Sequence, residues 1–278
     1  MRTLIAGCGY VGCALGERLA SEGHTVFGAR RNVESLPPAI QPVALDLSSP
    51  IAPDKLPPDL DFVFYTASAG GSSEDAYKSA YIEGPRNLLA ALETQNARRV
   101  LFTSSTGVYG QRDGEWVDEE SPTEPESFSG RVLLEGERVF LDGPYPAVVL
   151  RLGGIYGPGR THSIERAIRR ADGEEPPLYS NRIHRDDCAG ALRHLMLLEE
   201  PEQVYLGVDN EPTDRRTVAE WLEDRLPPET TRADGPSGTP RRRTNKRCDN
   251  SRLLASGYRF LHPTFREGFV ALLREMVR

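Results

Sequence analysis

The sequence has few cysteines and no long apolar run. Four cysteines in 278 residues, Cys8, Cys13, Cys188 and Cys248, are too few to hold a chain of this size together by disulfides, and their spacing matches no metal-binding pattern. No apolar stretch reaches the roughly 20 residues that a membrane span needs, and no signal-peptide pattern precedes the first strand-like segment. We therefore predict a cytoplasmic protein with reduced thiols, no metal site and no membrane partner.

The chain also lacks an excess of positive charge. Its 34 Lys and Arg residues against 41 Asp and Glu residues give a net charge of −7, whereas binding to nucleic acid phosphates favours a basic face. Nucleic acid is therefore not an expected partner. One local exception is the basic cluster of Arg241, Arg242, Arg243, Lys246 and Arg247, which we predict to be a solvated loop, with an anion-binding wall as the alternative.

The composition that is present, 38% hydrophobic and 27% charged, is typical of a folded protein. Short apolar runs such as residues 3–7 alternate with amphipathic helical patterns such as residues 10–22, which is typical of parallel βαβ units. We predict an α/β fold: a Rossmann-type doubly wound parallel sheet in residues 1–155, with a smaller substrate-binding lobe, interleaved with it, in residues 156–278.

A glycine motif, Gly7-x-Gly9-x-x-Gly12, lies between the first predicted strand and the first predicted helix. In a dinucleotide site the first glycine allows the tight turn, the second lets the pyrophosphate approach the backbone, and the third lets helix and strand pack closely. The helix N-terminus then faces the phosphates. A tight turn without a ligand is the alternative, but the strand before it and the helix after it favour a nucleotide site.

The second predicted strand ends in Arg30 and Arg31, where an NAD site usually carries an acidic residue. Two guanidinium groups can bind a ribose 2′-phosphate through charge-assisted hydrogen bonds, so we predict NADP, with NAD as the alternative. Asp46 could accept a hydrogen bond from the adenine amino group or simply begin a turn. The residues predicted to line the cofactor are Gly7, Gly9, Tyr10, Val11, Gly12, Arg30, Arg31, Asp46, Leu47, Ala67 and Ser68.

Four segments, in order along the chain, resemble motifs of the short-chain dehydrogenase/reductase superfamily. They are GCGYVG at 7–12, LFTSSTGVYG at 101–110, VVLRLGGIYGPGR at 148–160 and NRIHRDDCAGAL at 181–192. The chain is most similar to the extended and atypical branch of NAD(P)-dependent epimerase/dehydratase-like proteins, over essentially its whole length. The resemblance implies an oxidoreductase or epimerase-like protein that acts on a carbonyl or sugar-type small molecule.

The resemblance also implies which groups act on the substrate. Ser105, four residues before Tyr109, corresponds to the hydroxyl that hydrogen-bonds the substrate oxygen at the reacting carbon. The family's main acid/base pair is a Tyr followed four positions later by a Lys on the next helix, but this chain has Ser129 and Leu133 there. A Ser hydroxyl is too weak an acid and Leu offers no donor, so the standard mechanism cannot operate.

We therefore predict a non-standard proton donor. Ser105 and Tyr109 are the predicted catalytic residues, and the proton could come from Tyr109, His184 or water. His184 and Asp187 are more typical of structural residues, with Asp187 as a helix N-cap, although a catalytic role is the alternative.

Two classes of function stay open. The first is an NADP-dependent oxidoreductase or epimerase-type enzyme, and the second is a catalytically inactive NADP(H)-binding sensor or scaffold protein. The expected partner is a small-molecule substrate, for which the basic cluster hints at negative charge. The resemblance implies either a monomer or a homodimer that pairs through the helices at about 75–95 and 128–142.

Overall fold

A computed structural model describes residues 1–160, 177–226 and 244–276 of the protein. The strands are β1 (Arg2–Ala6), β2 (Thr25–Arg30), β3 (Gln41–Ala44), β4 (Phe62–Tyr65), β5 (Arg99–Ser105), β6 (Glu115–Val117), β7 (Ala147–Leu152), β8 (Gly154–Tyr156), β9 (Tyr179–Ser180), β10 (Arg182–His184), β11 (Val204–Gly207), β12 (Thr213–Asp214) and β13 (Lys246–Cys248). The helices are α1 (Tyr10–Ser21), α2 (Glu74–Lys78), α3 (Gly84–Ala91), α4 (Phe128–Leu141), α5 (Arg185–Leu197), α6 (Arg215–Glu223), α7 (Ser251–Ala255) and α8 (Phe265–Met276).

The central sheet has seven strands in the order β11-β7-β5-β4-β1-β2-β3, and every neighbouring pair is parallel. Parallel strands are covered by helices on both faces, which explains the continuous apolar runs in the sequence. The chain builds outward from β1 in one direction and then restarts at β4 on the other side. This order confirms the predicted Rossmann-type fold class, and its switch point lies between β1 and β4.

The core divides into two layers because alternate residues of a strand point to opposite faces. Ile5 of β1 packs with Leu15 and Leu192 of the two helices α1 and α5, which contact each other on one face. Leu4 lies on the other face, in a cluster with Phe140 of α4. All of these side chains are buried.

The segment after residue 156 contributes to both parts of the molecule. β11 forms the outer edge of the central sheet, whereas β8–β10, β9–β12 and β6–β13 are separate two-stranded pairs. The sequence also predicts a helix near residues 163–170 and a Pro- and Gly-rich loop at residues 234–243, and both lie outside the described residues. Within the described ranges, no helix is both long and apolar enough to cross a membrane.

The helix predicted at 75–95 is divided into three parts. α2 leads into a π-helical segment, Ser79–Glu83, which is followed by α3. Pro85 has no N–H with which to bond the Tyr81 carbonyl as an α-helix requires, and the wider turn lies directly before it. This segment forms one wall of the cleft described below.

The prediction that the basic cluster forms a solvated loop is wrong for Lys246 and Arg247, which belong to strand β13. Lys246 is buried, and its ammonium group donates to the Thr244 hydroxyl at 2.9 Å and to the Tyr109 carbonyl at 3.4 Å. The Arg247 guanidinium lies 5.0 Å from the ring centroid of Trp116. Pairing of β13 with β6 places Arg247 beside Trp116, whereas the partners of Lys246 are Thr244, in its own segment, and Tyr109. The rest of the cluster, residues 241–243, lies outside the described residues.

Candidate active site

The glycine turn after β1 is shaped by close backbone contacts. Gly7 has a φ of +78°, and a Cβ there would lie 2.3 Å from the Cα of Ala67. A Cβ on Gly12 would lie 2.8 Å from the Thr66 hydroxyl oxygen and 2.9 Å from a methyl carbon of Ile5. Gly7 therefore allows the turn, and Gly12 allows α1 to approach the sheet.

Gly9 differs because the protein's own packing does not require it. A Cβ at Gly9 would meet only the Gly7 carbonyl, at an ordinary 3.7 Å. The space in front of this residue is therefore open to a ligand. α1 begins at Tyr10 with no side-chain cap and no acidic residue in its first turn, so its free N–H groups favour an anion. The turn fits the pyrophosphate of a dinucleotide.

A cleft of about 470 Å³ opens beside this turn, at the carboxyl ends of β1, β2 and β4. This volume is within the range of small-molecule sites. The lining residues named in the sequence analysis are Gly7, Gly9, Arg30, Arg31, Asp46, Leu47, Ala67 and Ser68. The sequence reasoning missed Cys8, Asn32, Leu45, Ser48, Tyr65, Gly70, Ala76, Ser79 and Ala80, which come mostly from the β3 loop and the segment around α2.

Tyr10, Val11 and Gly12 are not part of this lining. The Tyr10 hydroxyl donates to the Pro158 carbonyl at 2.8 Å, which joins the start of α1 to the loop after β8. The Arg160 guanidinium lies 3.9 Å from the centroid of the Tyr10 ring. Tyr10 therefore positions this loop beside the glycine turn.

The charges at the cleft favour an anionic ligand. Arg30 donates to the Cys8 carbonyl at 3.2 Å, and Arg31 is exposed at the cleft wall. Asp46 is the one carboxylate among the described residues of the lining, and it accepts from the Ser48 amide at 3.0 Å and from the Ser48 hydroxyl at 2.7 Å. These hydrogen bonds keep the pKa of Asp46 below its usual value. Asp46 thus begins a turn and also faces the cleft.

Ser105 ends β5, at the same edge of the sheet as the cleft. Its hydroxyl oxygen accepts from the Gly107 amide at 3.0 Å and thereby caps the 3₁₀ turn Thr106–Val108. The side chain is half-buried, and its hydroxyl proton is not used by this bond. Ser105 is therefore positioned by its own turn and keeps a donor for a substrate oxygen.

Tyr109 is buried and hydrogen-bonded, whereas the predicted proton donor would need a hydroxyl that can reach the substrate. It is 0% exposed, its hydroxyl donates to the Asp118 carbonyl at 2.8 Å, and the same oxygen accepts from Arg151 at 2.7 Å. Burial raises the pKa of Tyr109 well above its ordinary value. This placement disfavours the predicted catalytic role of Tyr109, because the hydroxyl is occupied and shielded from solvent.

Arg151 belongs to a buried network that the sequence analysis missed. Its guanidinium donates to both carboxylate oxygens of Glu137, at 3.0 Å and 2.7 Å, and Ser104 donates to the same carboxylate at 2.6 Å. Glu137 is 1% exposed. A charged residue in the middle of the apolar strand β7 was the available signal, since a buried cation needs a partner.

The two α4 positions that the resemblance assigns to the family's acid/base pair carry side chains that bond or pack within the protein. The Ser129 hydroxyl donates to the Ser127 hydroxyl at 3.1 Å. Leu133 is buried in a core cluster with Val108, Val117 and Cys248. The helix is present where it was predicted, but its surface at Leu133 is used for packing.

Asp187 was predicted as a helix N-cap, which is wrong. His184 is the N-cap of α5, and its Nδ1 accepts from the Asp186 amide at 3.2 Å. Asp187 lies inside the first turn and accepts hydrogen bonds from the amides of Leu261 and His262, at 2.7 Å and 3.0 Å. It thus fixes the segment before α8 to α5, which is the structural role that the sequence favoured over a catalytic one.

His184, Asp187 and His262 have ligand atoms within 4.8 Å of one another, which is the spacing of a candidate metal site. The Asp187 carboxylate already accepts from His262 Nδ1 at 3.0 Å and from the Tyr258 hydroxyl at 2.9 Å, besides the two amides. Protein hydrogen bonds thus already hold the Asp187–His262 pair, and the His184 ring lies against it, with its centroid 3.8 Å from that of His262. Burial, followed by the neighbouring His262, lowers the pKa of His184 to about 4, so its imidazole is neutral at pH 7.

Comparisons with known proteins agree with this geometry. A family model described as the NAD dependent epimerase/dehydratase family matches residues 3–207. The chain is 30% identical to Protein YeeZ of Escherichia coli (strain K12) over 73% of this chain and 76% of that protein. It is 27% identical to dTDP-6-deoxy-L-talose 4-dehydrogenase (NAD(P)(+)) of Kitasatospora kifunensis, over 85% and 83%. A solved structure of a candidate NAD-dependent epimerase/dehydratase from Methylobacillus flagellatus is 36% identical, with a TM-score of 0.81 over 100% of this chain and 99% of that one.

Proposed function

Because the chain belongs to the NAD-dependent epimerase/dehydratase family, we propose that it is an NADP-dependent oxidoreductase or epimerase-type enzyme that acts on a carbonyl of a sugar-type small molecule. The observation that carries this proposal is the cleft itself. It combines the open glycine turn, an uncapped helix N-terminus and two arginines at the end of β2.

The preference for NADP rests on Arg30 and Arg31. Both line the cleft at the end of β2, where a carboxylate would bind the ribose hydroxyls of NAD. A 2′-phosphate at this position would meet two guanidinium groups and no carboxylate from β2. Gly7 and Gly9 would lie against the pyrophosphate, with Val11 and Gly12 behind them in the first turn of α1, while Asp46, Leu47, Ala67 and Ser68 would contact the adenosine side.

The proposed substrate class is supported by the family and by the activity of one relative, a dTDP-6-deoxy-L-talose 4-dehydrogenase. A phosphorylated or nucleotide-linked sugar is anionic. Arg160 and Arg185 both lie against the Tyr10 ring, at 3.9 Å and 5.3 Å from its centroid, beside the glycine turn. Arg185 also donates to Asp186 at 2.9 Å, so these two cations are compatible with an anionic substrate, and the proposal itself depends on the family and on this relative.

In the proposed chemistry the cofactor supplies hydride transfer. Ser105 orients and polarises the substrate carbonyl through its free hydroxyl proton, which stabilises negative charge on the oxygen. Tyr109 is buried with its hydroxyl bonded at both sides, and His184 is neutral and 2% exposed. Of the three proton sources considered from the sequence, water fits the geometry best.

The test is the pair of variants Ser105→Ala and Ser105→Thr. NADPH consumption with a panel of keto-sugar nucleotides should fall more than tenfold in Ser105→Ala, while the affinity for NADPH changes little. Ser105→Thr keeps the hydroxyl and should retain most of the turnover. Equal turnover in Ser105→Ala and the native protein would contradict the role of Ser105.

A native protein that binds NADPH tightly but turns over no member of the panel would favour the inactive sensor or scaffold instead.

Monomer and homodimer are both compatible with this proposal. The helices of the expected dimer surface are α2, α3 and α4, and sedimentation of the native protein distinguishes the two states. The four free cysteines fit the expected cytoplasmic location.

A further inference from the structure

Two of the four free cysteines face each other in the glycine turn. The sulfur atoms of Cys8 and Cys13 are 4.0 Å apart, and the Cys13 thiol donates to the Cys8 carbonyl oxygen at 3.6 Å. Cys8 lies between Gly7 and Gly9 and lines the cleft, whereas Cys13 is half-buried in the first turn of α1. The proposed chemistry uses neither thiol.

The surroundings of Cys13 stabilise a thiolate. The Cys8 thiol can donate to it, the Arg30 charge is nearby, and together these lower the pKa of Cys13 to about 7 despite partial burial. The same contact, together with burial, raises the pKa of Cys8. Cys13 is therefore the readier nucleophile of the two sulfurs, and Cys8 lies beside it within reach of a disulfide.

We propose that Cys8 and Cys13 are an oxidation site whose disulfide weakens dinucleotide binding. With hydrogen peroxide as the oxidant, the Cys13 thiolate attacks one peroxide oxygen and the O–O bond breaks. The products are a Cys13 sulfenic acid and hydroxide, which takes up a proton to become water. The Cys8 sulfur then attacks the Cys13 sulfur, the S–O bond breaks, and the hydroxyl leaves with the Cys8 proton as a second water. Two thiols and one peroxide thus give one disulfide and two waters.

The disulfide would act on the cleft through the backbone of Cys8. A disulfide bond is about 2 Å long, so the two sulfurs must approach each other from 4.0 Å. The Cys8 amide donates to the Ala29 carbonyl at 3.1 Å, and the Cys8 carbonyl accepts from Arg30 at 3.2 Å. Movement of Cys8 therefore displaces both the pyrophosphate turn and the arginine that would bind the 2′-phosphate.

The effect on binding rests on the proposed function, and linkage makes it reciprocal. A disulfide that weakens dinucleotide binding tenfold requires that bound dinucleotide disfavour the disulfide by the same factor. Formation of the disulfide, in contrast, depends only on the two sulfurs. The two parts of the proposal can therefore be measured separately.

The experiment treats the native protein, Cys13→Ser and Cys8→Ser with stoichiometric peroxide, followed by alkylation and peptide mass analysis. Arg2 and Arg18 flank both cysteines, so trypsin releases them in one peptide, residues 3–18. That peptide should lose two hydrogen atoms and take up no alkylating group, and dithiothreitol should reverse both changes. Cys188 and Cys248, which are buried and have no sulfur partner, serve as internal controls and should be alkylated fully after unfolding.

NADPH affinity is then measured by calorimetry before and after oxidation. The native protein should lose at least tenfold in affinity and recover it with dithiothreitol, and Cys13→Ser should keep its affinity after peroxide. A peptide that stays unchanged, or a disulfide that leaves the affinity unchanged, would overturn the proposal. If the reduced protein binds no dinucleotide, the proposed function fails, and the mass analysis still decides whether the pair is an oxidation site.

Discussion

At the scale of single residues, the buried Glu137–Arg151 ion pair is the main interaction that the sequence alone does not reveal. Both side chains are buried, and the guanidinium also donates to the Tyr109 hydroxyl, while the carboxylate accepts from Ser104. Buried pairs of this kind contribute little net stability when intact, but removal of one partner leaves an uncompensated charge in the core. The pair connects α4 to β7 beneath the segment that carries Ser105.

Glu137→Gln keeps the shape of the side chain and removes its charge. We expect the free energy of unfolding in urea to fall by about 3–5 kcal/mol, because Arg151 would keep its charge without a carboxylate. Glu135→Gln is the matched control on the same helix, since Glu135 is exposed and its contact with Arg86 is 3.5 Å long. The control should change stability by about 0.5 kcal/mol or less. Equal effects of the two substitutions would contradict the importance of the buried pair.

Asp209 gives a prediction about pH. It is 2% exposed, and burial raises its pKa to about 7 even though Arg182 lies near enough to lower it. Between about pH 4 and pH 7 the folded protein therefore holds a proton that the unfolded chain has lost, and stability falls as pH rises, by about 1.4 kcal/mol per pH unit at most.

Asp209→Asn cannot ionise and should not show this loss. Unfolding in urea at a series of pH values should show the stability of Asp209→Asn rising relative to the native protein, by about 2–4 kcal/mol between pH 4.5 and pH 7.5. The difference should be constant above pH 8. A difference that is independent of pH over the whole range would show that Asp209 is not protonated in the folded state.

Residue-level features divide according to whether their partners are near in sequence. The glycine turn and the arginines after β2 could be predicted because their roles depend on local order along a strand, a turn and a helix. The partner of Arg151 could not, since Glu137 lies on a different element and an amphipathic pattern does not show which charged residue faces inward. Lys246 illustrates the same limit: its burial depends on Thr244 and on the distant Tyr109 carbonyl.

At the scale of elements, α4 keeps the position of the family's catalytic helix but has a different surface. Its predicted range, 128–142, differs from the observed range by one residue. Ser127 caps it by accepting from the Gly130 amide at 3.1 Å, and Phe140 fixes it to the sheet. Leu133 then completes a core cluster with Val108 and Val117, so the helix is stabilised by the position that would otherwise carry the lysine.

Leu133→Lys should therefore destabilise the protein instead of restoring standard chemistry. The substitution removes a buried apolar side chain and places an ammonium group in its cavity, so we expect a loss of about 3 kcal/mol or more in the free energy of unfolding. Leu133→Met conserves the volume and should cost less than about 1.5 kcal/mol. Thermal and urea unfolding of the two variants measure this, and a stable Leu133→Lys variant would show that the position faces an open site.

Short elements mark the limit of sequence-based prediction at this scale. β6 and β13 are three residues each and pair although Glu115 and its partner Lys246 are 131 positions apart in the sequence. Neither has the alternation or length that a pattern can detect. The long strands β5 and β7, in contrast, carry enough consecutive apolar residues to be recognised as buried and parallel.

At the scale of the whole molecule, the strand order creates the site. The order of the strands reverses between β1 and β4, which leaves a crevice at their carboxyl ends. The glycine turn, the two arginines and Ser105 all lie at strand ends on this edge of the sheet. The net charge of −7 therefore says little about the ligand, because the cleft is locally basic. A negative net charge argues against a nucleic acid partner, which would contact a large part of the surface. It argues less against an anionic small molecule, which would contact only the cleft.

The most direct test of this account is calorimetric titration of the reduced protein and of Arg31→Ala with NADPH and with NADH. The native protein should bind NADPH at least tenfold more tightly than NADH, and Arg31→Ala should lose about tenfold or more of its NADPH affinity while its NADH affinity stays nearly constant. Arg86→Ala, which removes an exposed guanidinium on α3, is the control and should change neither affinity. Absence of heat with both dinucleotides, or NADH binding as tight as NADPH binding, would contradict the central claim that the amino-terminal cleft is built for a 2′-phosphorylated dinucleotide.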